Sequence, residues 1–235
     1  MNAVAPMPFP DASPPLAPQP GSARYFALLY TPRAHRPALA RLLALADEIG
    51  AGVTRALDHD VAHARLAWWQ HEAEQYALGH AQHPWLRNRP DERPDAPRID
   101  LGSLVQAAAI DLAQALQQPP GGERLRYAVF VAAASLLGAG SLSPALRETI
   151  GELGALNWQW EQSPAAAAAT GAALQPLLER IGPAPQPALA PLLVWTALAA
   201  RHGSQKKASM RRTFADNIHA WNVARRAAAG TFTSR

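Results

Sequence analysis

The chain contains no cysteine, which removes disulfides, thiolate metal ligands and thiol redox chemistry at a stroke. It also lacks a glycine-rich phosphate loop, a dinucleotide fingerprint and a nucleophile elbow. The Gly121-Gly122 pair stands between two helical patterns, where forming a turn is reason enough for it. No uncharged run is long and apolar enough to span a bilayer. The best, Tyr127 to Leu146, is interrupted by Ser135, Gly138, Gly140, Ser141, Ser143 and Pro144. β-branched residues are scarce beside alanine and leucine, so helices are favoured over strands.

What is there fits one domain with a full core: 235 residues, 49% of them hydrophobic. Residues 1–22 hold seven prolines, with neither a basic n-region nor an apolar core, and read as a disordered Pro-rich lead-in rather than a signal peptide. A helical domain is expected over 23–229, followed by a short tail, 230–235. The net charge of +4 is uneven. From Arg201 onward eight Lys or Arg face one Asp, a local +7 that leaves −3 for everything before. A basic end of this kind suits an anionic membrane surface, a nucleic acid or an acidic protein, or simply a solvated helix.

Apolar spacing predicts the helices. Leu39, Leu42, Leu43, Ala46 and Ile49 form one stripe; Ala62, Leu66, Trp69, Ala73 and Tyr76 form a second seam. Asp100 caps a helix through Gln117, and Glu123 to Leu137 reads as a mostly buried one. Ser143-Pro144 and Ser163-Pro164 each pair an N-cap serine with proline at the first helical position. Pro84 to Pro97 is expected to be a loop, and Ala188 to Ala200 an apolar helix. The last helix, about Ser204 to Ala228, is expected to pack Met210, Phe214, Ile218 and Trp221 on the domain. No period of 20 to 50 residues recurs, so the expectation is an all-α, single-domain bundle of seven to eight helices.

The run Ala64-Arg65-Leu66-Ala67-Trp68-Trp69-Gln70-His71-Glu72 carries adjacent tryptophans on a charged helix. With Arg24-Tyr25-Phe26-Ala27-Leu28-Leu29-Tyr30-Thr31-Pro32 before it and His83-Pro84 after it, the segment resembles the squalene/phytoene synthase family. Ile110-Asp111-Leu112, Tyr127 to Leu137, Leu153 to Glu161 and Pro191 to Arg201 are similar to later helices of that family, in the same order. The resemblance implies an isoprenoid (terpenoid) synthase-type bundle in which magnesium, held by two aspartate-rich motifs, assists the head-to-head joining of two prenyl diphosphates. It also implies a cavity lined by Tyr30, Trp68, Tyr127, Asn157 and Trp160, with Asp58, Asp111 and Glu161 as candidate catalytic carboxylates.

The departures fall where the chemistry should be. Gly50, Ala51 and Thr54 stand at the first-motif positions, and Asp47 and Glu48, nearby, are expected to be out of phase with them. Ala165 stands four residues beyond Glu161, where the second motif continues, and Gln70 replaces an arginine. The implied function is therefore a catalytically degenerate relative, cytoplasmic or peripheral to a membrane, that binds an isoprenoid or a protein partner without a cofactor. The alternative is an active prenyltransferase with displaced magnesium ligands drawn from Asp47, Glu48, Asp58, Asp60, Asp111 and Glu161. A third reading is an adaptor for a membrane surface, with nucleic acid less favoured, working through the basic end: Lys206, Lys207, Arg211, Arg212, Arg225 and Arg226. His59 and His63, one turn apart beside Asp58 and Asp60, suit a zinc site or ordinary helix capping.

Overall fold

The computed structural model describes residues 18–54, 59–87, 98–115, 122–138, 142–162, 170–202 and 210–233. Those residues form ten α-helices and one 3-10 turn, with no strand among them. The helices are α1 (Ala23–Leu29), α2 (Arg36–Thr54), α3 (His59–Ala77), α4 (Pro84–Arg87), α5 (Leu101–Ala115), α6 (Glu123–Leu136), α7 (Pro144–Gln162), α8 (Thr170–Ile181), α9 (Gln186–His202) and α10 (Met210–Ala228); the turn is Arg33–His35. The architecture is all-α, as expected. The count exceeds seven to eight because α1 and α4 are short pieces, α4 a single turn inside the segment expected to be loop.

Local chemistry accounts for the helix starts. Ser22 accepts from the Tyr25 amide at 3.1 Å and opens α1. Asp100 accepts from the Ser103 amide at 3.0 Å and from its hydroxyl at 2.6 Å, before α5. Ser143 accepts from the Leu146 amide at 3.2 Å, with Pro144 first in α7. Each leaves fewer of the first-turn amides unpaired. The Ser163-Pro164 start lies outside the described residues.

The two apolar stripes face inward. Leu39, Leu42, Leu43, Ala46 and Ile49 of α2 are buried, as are Ala62, Leu66, Trp69 and Tyr76 of α3. They join one core with Val129, Phe130 and Ala133 of α6, Ile150, Leu153 and Trp160 of α7, and Leu189, Leu193 and Trp195 of α9. α6 lies along α7 at close range because α7 presents Gly151 and Gly154. A Cβ at Gly154 would stand 2.6 Å from the Arg126 carbonyl oxygen, and one at Gly151 only 2.1 Å from the Tyr127 ring.

The last helix corrects the sequence expectation. α10 buries Asp216, Ala220, Val223 and Ala227, at 4-3-4 spacing, and packs along α9. Ile218 and Trp221, expected to face the domain, are 47% and 51% exposed. The side chains of Met210 and Phe214 lie outside the description, as do residues 203–209. Periodicity weighted the large residues; the helix buries the small ones, which allow its backbone closer to α9. No helix of the described residues is long and apolar enough to cross a membrane.

Candidate functional site

A cavity of about 330 Å³ opens between α1, α2, α6, α7 and α9. Its polar wall is Arg24, Asp47 and Arg126, its aromatic wall Trp158 and Trp195, and its apolar floor includes Leu43, Ala46, Leu125 and Val129. Gly50 and Ala51 line it too. A Cβ at Gly50 would meet only the Cδ2 methyl of Leu125, at 3.1 Å. Asp47 shares this wall with Gly50 and Ala51, three and four residues on, so its expected phase mismatch is corrected: the three occupy one helical face. The side chain of Thr54 lies outside the description.

Arg126 is the centre of the arrangement. Its side chain is 5% exposed, and it donates to Asn157 Oδ1 and to Glu161 Oε2, both at 2.8 Å. Its guanidinium lies 4.6 Å from the Trp195 ring centroid and 5.5 Å from that of Trp158. Trp195 donates its indole N–H to Glu161 Oε1 at 2.9 Å, so both oxygens of that carboxylate are engaged. Arg24 lies over Trp195 as well, at 5.2 Å, and pairs with Asp47. The Asn157 amide nitrogen is buried without a hydrogen-bond partner.

Burial pulls the Arg126 pKa down, while the Glu161 charge works to hold it up. For Glu161 burial works upward, yet Arg126, Arg24 and the hydrogen bond from Trp195 together outweigh it, and its carboxyl is held below the ordinary value. The result is a nearly neutral pair of ion pairs wrapped in indole, which favours charge-assisted hydrogen bonding over free charge.

Gly122 marks the mouth. It has φ of 143° before α6, and a Cβ there would lie 2.3 Å from the Trp158 ring, so only glycine lets that ring close over the turn. Having no side chain, Gly122 cannot cap α6. Asp111 of α5 does so instead, its two oxygens accepting from the Arg124 and Leu125 amides at 3.0 and 2.8 Å. Asp111 is 1% exposed and committed to this helix end.

The other sequence-derived candidates are dispersed. Asp58 lies outside the described residues. Tyr30 sits at the end of α1, its hydroxyl donating to the Asn217 side-chain oxygen at 3.1 Å, and burial raises its pKa. Trp68 packs edge-on to Trp69, ring centroids 4.9 Å apart, in an aromatic group with His83 and Trp85. Buried Glu72 anchors that group by accepting from the Gln82 and His83 amides, each at 2.7 Å. Tyr127 faces a separate groove of about 460 Å³ with Arg98, Ile110 and Arg147. Trp160 is 1% exposed and belongs to the core, while its neighbour Trp158 takes the cavity wall. Arg126 and Trp195 carry no signal in the sequence, and Arg24 and Trp158 none that joins them to those two. They come from four helices and share no local spacing.

Asp60 lies in the first turn of α3, and the His59 side chain is outside the description. Among the described residues no three His, Asp or Glu side chains gather closely enough to hold a metal ion. The donors around the cavity do not fit the magnesium that the family resemblance implies. Gly50 and Ala51 offer no oxygen from their side chains. Asp47 and Glu161 are each already paired with an arginine, whereas magnesium is usually held by one or two carboxylates together with substrate phosphates.

Compared with known proteins, the chain matches no family model, no curated protein sequence and no solved structure.

Proposed function

We propose that this chain is a diverged squalene/phytoene synthase-like protein, with the isoprenoid-synthase type of bundle, that binds an isoprenoid or a protein partner and does not condense prenyl diphosphates. The observation carrying this reading is the cavity wall itself. Where the resemblance calls for aspartates there are Gly50 and Ala51; the acidic group that lines the cavity, Asp47, is paired with Arg24, and Glu161, behind the wall, with Arg126. A head-to-head condensation has two diphosphates to accommodate and activate. Without uncommitted carboxylates the wall cannot gather the cations that would neutralise a leaving diphosphate.

The cavity volume supports a binding role. About 330 Å³ lies at the small end of the roughly 300–1,000 Å³ range of ligand pockets, enough for one small ligand or one end of a chain. Its apolar floor and two indoles suit a hydrocarbon segment. The test is incubation with labelled farnesyl or geranylgeranyl diphosphate and magnesium, followed by solvent extraction of products. The expected outcome is no head-to-head product above a heat-denatured control. Product formation well above that control would overturn the proposal.

A further inference from the structure

We propose that the outward face of α10 is a docking surface for an anionic lipid bilayer. The helix turns small residues inward and leaves Ile218 and Trp221 about half exposed. Arg225 lies over the Trp221 ring, its guanidinium 4.9 Å from the centroid, and Arg225 and Arg226 are both exposed. The Tyr30 hydroxyl ties the end of α1 to Asn217, the residue before Ile218. Leu29, the residue before Tyr30, is 40% exposed.

Acidic residues are few in the flanking sequence. Between Arg24 and Asp47 the sequence has no acidic residue, and after Gln162 it has only Glu179 and Asp216. Asp216 is buried on the inner side of α10, 3.9 Å from Arg201. The outer side of α10 combines an aliphatic residue, an indole and arginines, while the one carboxylate of the helix, Asp216, is buried.

This combination selects lipid over other polyanions. An indole with a guanidinium stacked on it can sit at headgroup depth while the arginine meets phosphate. Ile218 gains from the acyl boundary, and would gain nothing against a phosphodiester backbone. The face lies in the interfacial plane and does not span.

Sedimentation of the full chain with vesicles tests the proposal, using phosphatidylglycerol mixed with phosphatidylcholine against phosphatidylcholine alone. Binding is expected on the anionic vesicles only, weakening steeply between low and physiological salt as screening sets in. Replacing Arg225 and Arg226 by Gln should weaken it about fivefold for each residue. Ile218→Ser with Trp221→Ala should weaken it at least about tenfold while the helical circular dichroism stays unchanged, since both side chains are already exposed. Leu78→Ala, at an exposed apolar residue after α3, should bind like the parent. Parent-like binding by the folded Ile218/Trp221 variant overturns the proposal. So does equal binding to neutral vesicles, no binding to either, or capture of a labelled random single-stranded DNA at concentrations where vesicles are not bound.

Discussion

Glu161 and Arg126 hold each other in place, and each would be costly alone. Arg126 is buried, so removing the carboxylate leaves an uncompensated cation, which in comparable cases costs about 3–5 kcal/mol. The pair also makes stability depend on pH in a definite direction. The Glu161 pKa is lower in the folded protein than in the unfolded chain, so the folded state binds fewer protons there. Its contribution is complete above the unfolded value and is lost as pH falls through the folded one. We expect the urea midpoint of the parent to drop more steeply from about pH 6 to about pH 3 than that of Glu161→Gln, which starts lower. Parallel slopes would contradict the assigned role. The family resemblance puts Glu161 and Asn157 among the candidate site residues. It could not place Arg126, because an arginine at the start of an apolar helix carries no sign that its side chain turns inward. Asp111, a candidate carboxylate through the resemblance, caps the next helix, a role that only the turn at Gly122 reveals.

Among the helices, those with stripes of large aliphatic residues were legible. α2 and α3 bury the faces expected of them, because burial of Leu, Ile and Trp dominates their packing. α10 was legible as a helix and misread in phase. It offers two apolar faces, one of Ala and Val and one of Ile and Trp, and hydropathy alone favours the larger. Close approach decides otherwise there, as it does between α6 and α7. Gly154→Ala tests that principle directly. The added methyl meets the Arg126 carbonyl oxygen and the Phe130 ring at 2.6 and 2.9 Å, neither of them the far end of a flexible chain. Forcing it in should cost about 1–3 kcal/mol, read as a lower urea midpoint, despite alanine's better helix propensity. A gain in stability would mean that the two helices can part more easily than their packing suggests.

At the scale of the whole molecule, the buried residues of α2, α3, α5, α6, α7, α8 and α9 belong to one connected core, together with α10's Ala220, Val223 and Ala227. Unfolding should therefore be cooperative. Tryptophan fluorescence, reporting Trp69, Trp160 and Trp195 inside that core, and helical circular dichroism should give coincident urea transitions. Separated midpoints would show that part of the bundle unfolds independently. The all-helical class was readable from composition and periodicity because both act locally. The cavity was not, because its wall is assembled from Arg24, Asp47, Arg126, Trp158 and Trp195 on five helices, and no spacing rule connects them.

The bare patch at Gly50 bears on how readily this wall could gain a carboxylate. Every glycine codon is a single base change from an acidic codon, and the same is true of every alanine codon, as at Ala51. A side chain grown from Gly50 would first touch a leucine methyl that can swing aside, and no backbone stands in its way. Sterically, then, the wall remains within one mutational step of a carboxylate. What resists such a gain is electrostatic: Arg24 already claims Asp47, so a new acid would enter a site whose charges are balanced without it. A cation site could form here only if that arginine were given up as well. The two changes would have to arrive together or in a tolerated order, and that ordering, more than space, keeps the present state in place.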